Sequence, residues 1–257
     1  MTMDQILTEI RDGVQHIRFN RPDKKNAITA AMYLALAHAL RHAERDGAVR
    51  VALIQGTPES FTAGNDLHDF LEHPPRASDA PAFQFLRAIR EFPKPLIAAV
   101  GGLAVGVGTT MLLHCDFVYC TPGTRFSLPF VNLGVCPEGG SSYLLPRLAG
   151  YQRAAELLML GEPFGAETAR EIGLVNAVVP EEALLATALA TARKLAAKPA
   201  ASLRETKSLM KGATQDAVRR IMDDEGETFR ERLDSPEAKE AFTAFFDKRA
   251  PDFSKFD

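Results

Sequence analysis

Short runs of alternating apolar and polar residues open the chain. Residues 6–10 and 14–19 both alternate, and the dipeptide Asp12-Gly13 between them favours a tight hairpin. A run with helical spacing follows Thr29, whose hydroxyl can accept a hydrogen bond from a first-turn amide. The apolar positions of that run include Met32, Leu34, Leu36 and Leu40. The pattern therefore predicts a β-hairpin followed by a capped amphipathic helix.

Two continuous apolar runs, 51–54 and 95–100, are typical of strands buried on both faces. Two segments, 61–67 and 100–113, each lead from a strand through a glycine turn into the start of a helix. Asn65 or Asp66 can cap the helix that starts after the first of these segments. Residues 68–80 are polar and contain prolines, so we expect this segment to be mobile. The repeated order of strand, turn and helix indicates ββα units.

Beyond residue 145 the periodicity becomes helical almost throughout. Together with an earlier helix at 83–92, helices are predicted over 153–160, 166–172, 180–197, 200–212, 217–233 and 236–248. The chain therefore belongs to the α/β class, with a core of ββα units over 1–194 and a helical region over 195–257. Long helices with apolar faces at a chain end usually pack on their own core or on a partner subunit.

Composition narrows the classes of partner. The 257 residues are 46% hydrophobic, which is enough for a large core. A net charge of -3 provides no basic surface for nucleic acid, and no apolar run reaches the roughly 18 residues that span a membrane. The first five residues do not resemble a signal peptide, and the three cysteines lack ligand spacing. We therefore expect a cytoplasmic protein with free thiols.

Glycine turns that open helices are candidate oxygen-binding sites, because the first amides of a helix have no partner inside it. The turn at 106–108 offers the amide of Val107, and the turn at 63–65 offers the amide of Asn65. Two such turns can direct two amides at one oxygen. The alternatives are glycines that serve close packing, a simple helix cap at Asn65, or a dinucleotide loop. The last lacks its third glycine and its downstream acidic residue.

Glu138 is the candidate proton carrier, since it lies in a third glycine turn, 137–140. Its apolar neighbours are Phe130, Val131, Leu133, Val135, Tyr143 and Leu144. Apolar surroundings would raise the pKa of Glu138 and make it a base near neutral pH. The alternative is a solvated loop charge. A basic loop, 21–26, could likewise bind phosphates or simply be solvated.

Several motifs together resemble the crotonase (enoyl-CoA hydratase/isomerase) superfamily over essentially the whole chain. They are Asn20-Arg21-Pro22, Asn26-Ala27, the segment 61–67, residues 98–102 with 106–108, Cys115-Asp116, Leu133-Gly134, the turn 137–140, residues 173–175, and Phe245 with Lys248-Arg249. The resemblance implies a crotonase-like spiral of ββα units that binds an acyl-CoA thioester. It also implies a C-terminal helical trimerisation region, and hence a homotrimer or a dimer of trimers.

The resemblance also assigns roles to residues. The backbone amides of Asn65 and Val107 would form an oxyanion hole for the thioester oxygen. The residues that would bind coenzyme A and substrate are Lys25, Ala27, Ala63, Gly64, Asp66, Leu67, Phe245 and Lys248. Of these, Phe245 and Lys248 would approach the coenzyme A of a neighbouring subunit. No metal or separate cofactor is expected, because coenzyme A is part of the substrate.

The position of the catalytic acid separates the branches of this superfamily. Hydratases resembling this chain carry two glutamates at positions occupied here by Thr110 and Phe130, which would instead line the acyl pocket. Glu138 falls where Δ3,Δ2-enoyl-CoA isomerases of the peroxisomal type place their one catalytic glutamate. The resemblance thus implies an isomerase that shifts a double bond from C3 to C2. Hydration or hydrolysis of another acyl-CoA, and non-catalytic acyl-CoA binding, are the alternatives.

Overall fold

A computed structural model describes residues 4–256, so residues 1–3 and 257 of the two predicted regions lie outside it. The strands are β1 (Ile6–Arg11), β2 (Val14–Phe19), β3 (Val51–Gln55), β4 (Ser60–Thr62), β5 (Leu96–Val100), β6 (Leu103–Val105), β7 (Phe117–Cys120), β8 (Arg125–Ser127), β9 (Phe164–Gly165) and β10 (Ala177–Val178). The helices are α1 (Ala30–Arg45), α2 (Leu67–Glu72), α3 (Pro81–Glu91), α4 (Val107–Thr110), α5 (Ser141–Ala149), α6 (Tyr151–Ala155), α7 (Ala166–Glu171), α8 (Leu184–Ala196), α9 (Ala200–Leu233) and α10 (Pro236–Phe246).

The strands form two sheets. The larger has the order β1-β2-β3-β5-β7-β10, and the smaller has the order β4-β6-β8-β9. The β1–β2 hairpin is antiparallel, whereas β2, β3, β5, β7 and β10 pair in parallel. After the hairpin, the consecutive strand pairs β3/β4, β5/β6 and β7/β8 are each divided between the two sheets, so the chain advances as a spiral. This confirms the α/β class and the repeated ββα units.

Both faces of the larger sheet are covered, which explains why its central strands are apolar throughout. On one face, α1 and α3 pack in the main core with strand residues that include Ile54 and Ala98. On the other face, Ala188 and Ala192 of α8 pack with alternate strand residues such as Leu53 and Ile97. Neighbouring residues of one strand therefore belong to different cores.

Two glycines bring the predicted turns together. A Cβ atom at Gly64, where φ is 83°, would lie 2.7 Å from the carbonyl oxygen of Val105. A Cβ atom at Gly108 would lie 2.6 Å from Cγ2 of Thr62. Larger residues would separate the end of β4 from the start of α4. The glycines therefore serve close packing and also place the turns at Asn65 and Val107 side by side.

The C-terminal region is dominated by α9, a continuous helix of 34 residues. The sequence predicts two helices, 200–212 and 217–233, and this division is wrong. Gly212 is exposed, and the helix passes through it at a cost of roughly 1 kcal/mol relative to alanine. Burial of Val218, Met222 and Phe229 in the second half offsets that cost.

The shorter segments match the prediction only in part. The helix start predicted after the turn at 61–67 is confirmed, because the Asp66 carboxylate accepts hydrogen bonds from the amides of His68 and Asp69 and caps α2. The two-residue strands β9 and β10 carry too little pattern to be predicted. The hairpin and the cap at Thr29, which accepts from the Met32 amide, are confirmed.

We expect Gly212→Ala to raise the free energy of unfolding by about 1 kcal/mol, because alanine favours the helix and, apart from the helix's own backbone and the neighbours of Gly212, no atom of residues 4–256 lies within 4 Å of the new Cβ. Urea denaturation measures the change. The matched change Gly108→Ala should destabilise the fold, since its Cβ would meet Thr62. A destabilised Gly212→Ala protein would contradict a continuous α9.

Candidate active site

A cavity of about 510 Å³ opens between the two glycine turns, the loop at 137–140 and the C-terminal helices. Its lining is predominantly apolar and includes the phenylalanines Phe70, Phe83, Phe130, Phe229, Phe242 and Phe245. Its polar lining residues are few: Lys24, Tyr33, Asn65, Asp66, His68, Asn132 and Glu138. A cavity of this kind suits a ligand that has an apolar body and one reactive polar group.

The first glycine turn joins β4 to α2. An isolated parallel bridge uses the carbonyl of Gly64 and the amide of Asp66, both bonded to Ile28. The amide of Asn65 between them points to the other side of the strand, and it has no acceptor within residues 4–256. Burial alone would raise the pKa of Asp66, but hydrogen bonds from Arg21 and two amides outweigh it and lower that pKa.

The second glycine turn joins β6 to α4. Gly106 has φ 54° and donates its amide to the carbonyl of Ser127, which fixes the turn against β8. The next amide, that of Val107, begins α4 and finds no acceptor in the described part of the chain. Both Val107 and Asn65 line the cavity. The arrangement therefore leaves two unused amide donors on adjoining turns.

Glu138 lies in the same lining and is only 8% exposed. Burial raises the pKa of its carboxyl to about 8, and the negative charge of Glu225 adds to the rise. The hydroxyl of Thr110 donates to Oε1 of Glu138 and opposes it. A carboxyl group with this pKa exchanges its proton near neutral pH.

A buried histidine, His114, contacts the loop that carries Glu138. The Nε2 atom of His114 lies 2.7 Å from the carbonyl oxygen of Gly139. Burial lowers the pKa of His114 to about 3, with the nearby Lys211 charge contributing. The imidazole is therefore neutral, and the carbonyl contact assigns its proton to Nε2 as donor.

Glu225 is a second buried carboxylate that sequence reasoning missed. From α9 it accepts hydrogen bonds from the amide of Gly140 at 2.6 Å, and from the amide and hydroxyl of Ser142 at 2.9 and 2.5 Å. Burial nevertheless raises its pKa. A signal was present in the sequence, because Glu225 falls in the helical stripe of Met222 and Phe229, where a charge is unexpected.

The sequence pattern also does not single out Tyr33, because it follows the apolar Met32 in α1 and has the pattern of an ordinary core residue. Its hydroxyl donates to Oδ1 of Asn65 at 2.5 Å, and both residues line the cavity. Burial raises the pKa of Tyr33, so the hydroxyl keeps its proton. The bond fixes the Asn65 side chain beside its own amide.

The structure brings most of the predicted site residues together. Those that line the cavity are Ala27, Ala63, Gly64, Asn65, Asp66, Leu67, Val107, Phe130, Glu138 and Phe245. Thr110 lies behind the lining, where it contacts Glu138. The exposed Lys25 and Lys248 are not in the lining, and Lys24 lies there instead. Their roles stay predictions.

Three further features of residues 4–256 concern ligands and environment. No three His, Cys, Asp or Glu side chains in this range form a group that could hold a metal ion. Every helix in it is too short or too polar to cross a membrane. Cys115, Cys120 and Cys136 are free thiols.

Comparison with known proteins gives consistent results. The enoyl-CoA hydratase/isomerase family matches residues 9–255. The 1,2-epoxyphenylacetyl-CoA isomerase of Escherichia coli (strain K12) is 34% identical over 261 residues, covering 98% of this chain and 99% of that protein. Enoyl-CoA delta isomerase 2 of Rattus norvegicus is 34% identical over 250 residues, covering 95% and 64% respectively. The structure of Pseudomonas aeruginosa OdaA superposes with a TM-score of 0.92 at 48% identity, covering 94% and 98%.

This chain belongs to the enoyl-CoA hydratase/isomerase family, and it is a crotonase-type acyl-CoA enzyme. The resemblance found in the sequence is thereby confirmed at the level of the family. Its relatives at 31–34% identity include both isomerases and hydratases. Membership of the family therefore does not decide between isomerisation and hydration.

The buried carboxyl of Glu138 should make stability depend on pH. Its pKa is about 8 in the folded chain against an ordinary 4.5, so the neutral form stabilises the fold fully below about pH 4.5. That contribution is lost as the pH rises through 8. We expect Glu138→Gln, which stays neutral, to exceed wild type by on the order of 4 kcal/mol at pH 9 and by little at pH 4.

Urea denaturation at the two pH values measures this difference. Glu162→Gln, at an exposed glutamate, is the matched control and should behave as wild type at both. A Glu138→Gln effect of equal size at pH 4 and pH 9 would contradict a raised pKa.

Proposed function

We propose that this chain is a Δ3,Δ2-enoyl-CoA isomerase. One observation carries the proposal: Glu138 lines the cavity and burial raises its pKa to about 8. Asp66, the other carboxyl group in the described lining, is paired with Arg21 and caps α2. Migration of a double bond needs one group that takes a proton and returns it, and Glu138 meets this need.

In the proposed mechanism, the Glu138 carboxylate removes a proton from C2 of a 3-enoyl-CoA. The electron pair moves toward the thioester oxygen and forms a dienolate, which the amides of Asn65 and Val107 stabilise by hydrogen bonds. Glu138 then returns the proton to C4, and the double bond forms between C2 and C3. One proton leaves and one returns, so the reaction requires no metal or redox cofactor.

Hydration is the main alternative, since relatives include hydratases. Addition of water requires one group to activate water and another to protonate carbon. The positions at which hydratases resembling this chain carry glutamates hold Thr110 and Phe130, and neither side chain titrates near neutral pH. Thr110 instead donates to Glu138. These contacts favour proton transfer by one acid over hydration.

The rest of the cavity suggests how an acyl-CoA would bind. We place the acyl chain among the phenylalanines and coenzyme A along the turn at 63–67, with Lys24 and Phe245 at the same cavity. We further propose a cytoplasmic homotrimer or dimer of trimers. Exposed apolar residues over 148–160, namely Leu148, Tyr151, Met159 and Leu160, support an interface between subunits.

Replacement of Glu138 tests the reaction directly. Glu138→Gln should lower turnover of trans-3-hexenoyl-CoA by about a hundredfold to ten-thousandfold, the usual contribution of a positioned acid–base group. Glu162→Gln should keep wild-type turnover. Near wild-type turnover in Glu138→Gln would refute the assignment, and faster hydration of crotonyl-CoA than isomerisation by the wild type would favour a hydratase.

The pH profile tests the environment of Glu138. The value of kcat/KM should rise with pH and reach half its maximum near pH 8, because the carboxylate form starts the reaction. Thr110→Val removes a hydrogen bond that lowers this pKa, so its profile should move to higher pH. Glu225→Gln removes a negative charge that raises the pKa, so its profile should move to lower pH. Shifts in the same direction for both would contradict these roles.

A further inference from the structure

A second cavity lies on the far side of the Glu138 loop, and we call it the rear cavity. It has a volume of about 160 Å³ and is bounded by the end of α3, residues 113–114 and the first half of α9. Its described lining shares no residue with that of the active-site cavity, so the two are separate. His114 forms part of its wall and contacts Gly139 of the Glu138 loop through Nε2. Neither the proposed reaction nor the acyl-CoA uses it.

The rear cavity has an excess of positive charge. Arg90, Arg204, Lys207 and Lys211 line it, and Glu91 is the one acid among its described lining residues. The Glu91 side chain is 57% exposed, so solvent screens its charge. Cations grouped at one concave site attract anions more strongly than the same charges spread over a surface.

Arg90 is the buried member of this group. Its side chain is only 7% exposed, and Nη2 pairs with Glu91. Its other terminal nitrogen, Nη1, is buried and has no acceptor within residues 4–256. A buried N–H group without an acceptor is unfavourable, and one on a cation is more so. The guanidinium therefore has donors that the chain itself does not satisfy.

The basic groups also lie near one another. The low pKa of His114 comes first from burial, and then in part from the charges of Lys211, Arg90 and Lys207. Lys207 donates hydrogen bonds to the Asp116 carboxylate and to the carbonyl of Lys94. Lys211 donates to the carbonyl of His114, which is a neutral acceptor. Three cations thus lie near one neutral imidazole, and within the described chain only Lys207 pairs with a carboxylate that is largely shielded from solvent, that of Asp116.

We propose that the rear cavity binds a small inorganic oxyanion, free phosphate, between Arg90 and Lys211. Its volume is several times the roughly 30 Å³ that one water occupies in the liquid, which leaves room for a phosphate ion. The rear cavity has less than a third of the volume of the active-site cavity, which favours a small ion over a larger ligand. Serine and threonine hydroxyls in its lining, Ser208 and Thr214, can add hydrogen bonds to the ion.

Calorimetric titration of the full chain with inorganic phosphate, at constant ionic strength in chloride buffer, tests the proposal. We expect saturable binding that Arg90→Met and Lys211→Met each weaken by about tenfold or more, since each removes a charged donor. The control Arg219→Gln changes an exposed cation of α9 that pairs with Asp216, and it should bind as wild type.

Other outcomes would overturn the proposal. Absence of saturable binding, or equal binding by wild type and both cavity variants, would show that the rear cavity is not a phosphate site. An equal loss in Arg219→Gln would indicate only general surface charge. A parallel titration with AMP separates the sources of phosphate, and tighter binding of AMP at the same residues would overturn the assignment to the free ion. Two variants on different helices guard against failure of either to fold.

Discussion

Removal of one carboxyl group from water is the interaction on which the rest of this site depends. Glu138 in a solvated loop would be an ordinary ionised carboxylate and a weak base. Apolar walls around it, with the helices α9 and α10 closing the cavity, raise its pKa to about 8. Burial of a carboxyl group opposes folding at high pH, so the surrounding structure must hold it in place.

Three side chains hold the loop that carries Glu138, two from the α4 segment and one from α9. Thr110 in α4 donates to the carboxylate itself. His114, just after α4, contacts the Gly139 carbonyl. Glu225 of α9 accepts hydrogen bonds from the amides of Gly140 and Ser142. Helix α9 therefore supports the loop that carries Glu138 and also forms part of the cavity wall. Two glycine turns of the spiral supply the unused amides opposite.

Local pattern was enough to predict the elements of the spiral but not the contacts that tune the site. The hairpin at Asp12-Gly13 and the glycine turns at Asn65 and Val107 follow from residue type and spacing over a few positions. Glu225 is more than 80 residues from the Glu138 loop in sequence, and local periodicity cannot predict a contact over that separation. The continuity of α9 through Gly212 was missed for a related reason, because the tertiary packing of its second half outweighs the local preference of glycine.

A pKa near 8 fits the proposed reaction, in which one group both takes and returns a proton. At pH 7 only about one tenth of such a group is ionised, which lowers the fraction of molecules ready to take a proton. The same high pKa makes the ionised form a stronger base toward C2. Without Thr110, burial and Glu225 would raise the pKa further and reduce the ionised fraction again. The threonine, at a position where hydratases resembling this chain carry a glutamate, thus limits the rise in the pKa of Glu138, and the proposed isomerisation needs both the ionised and the protonated form of that group.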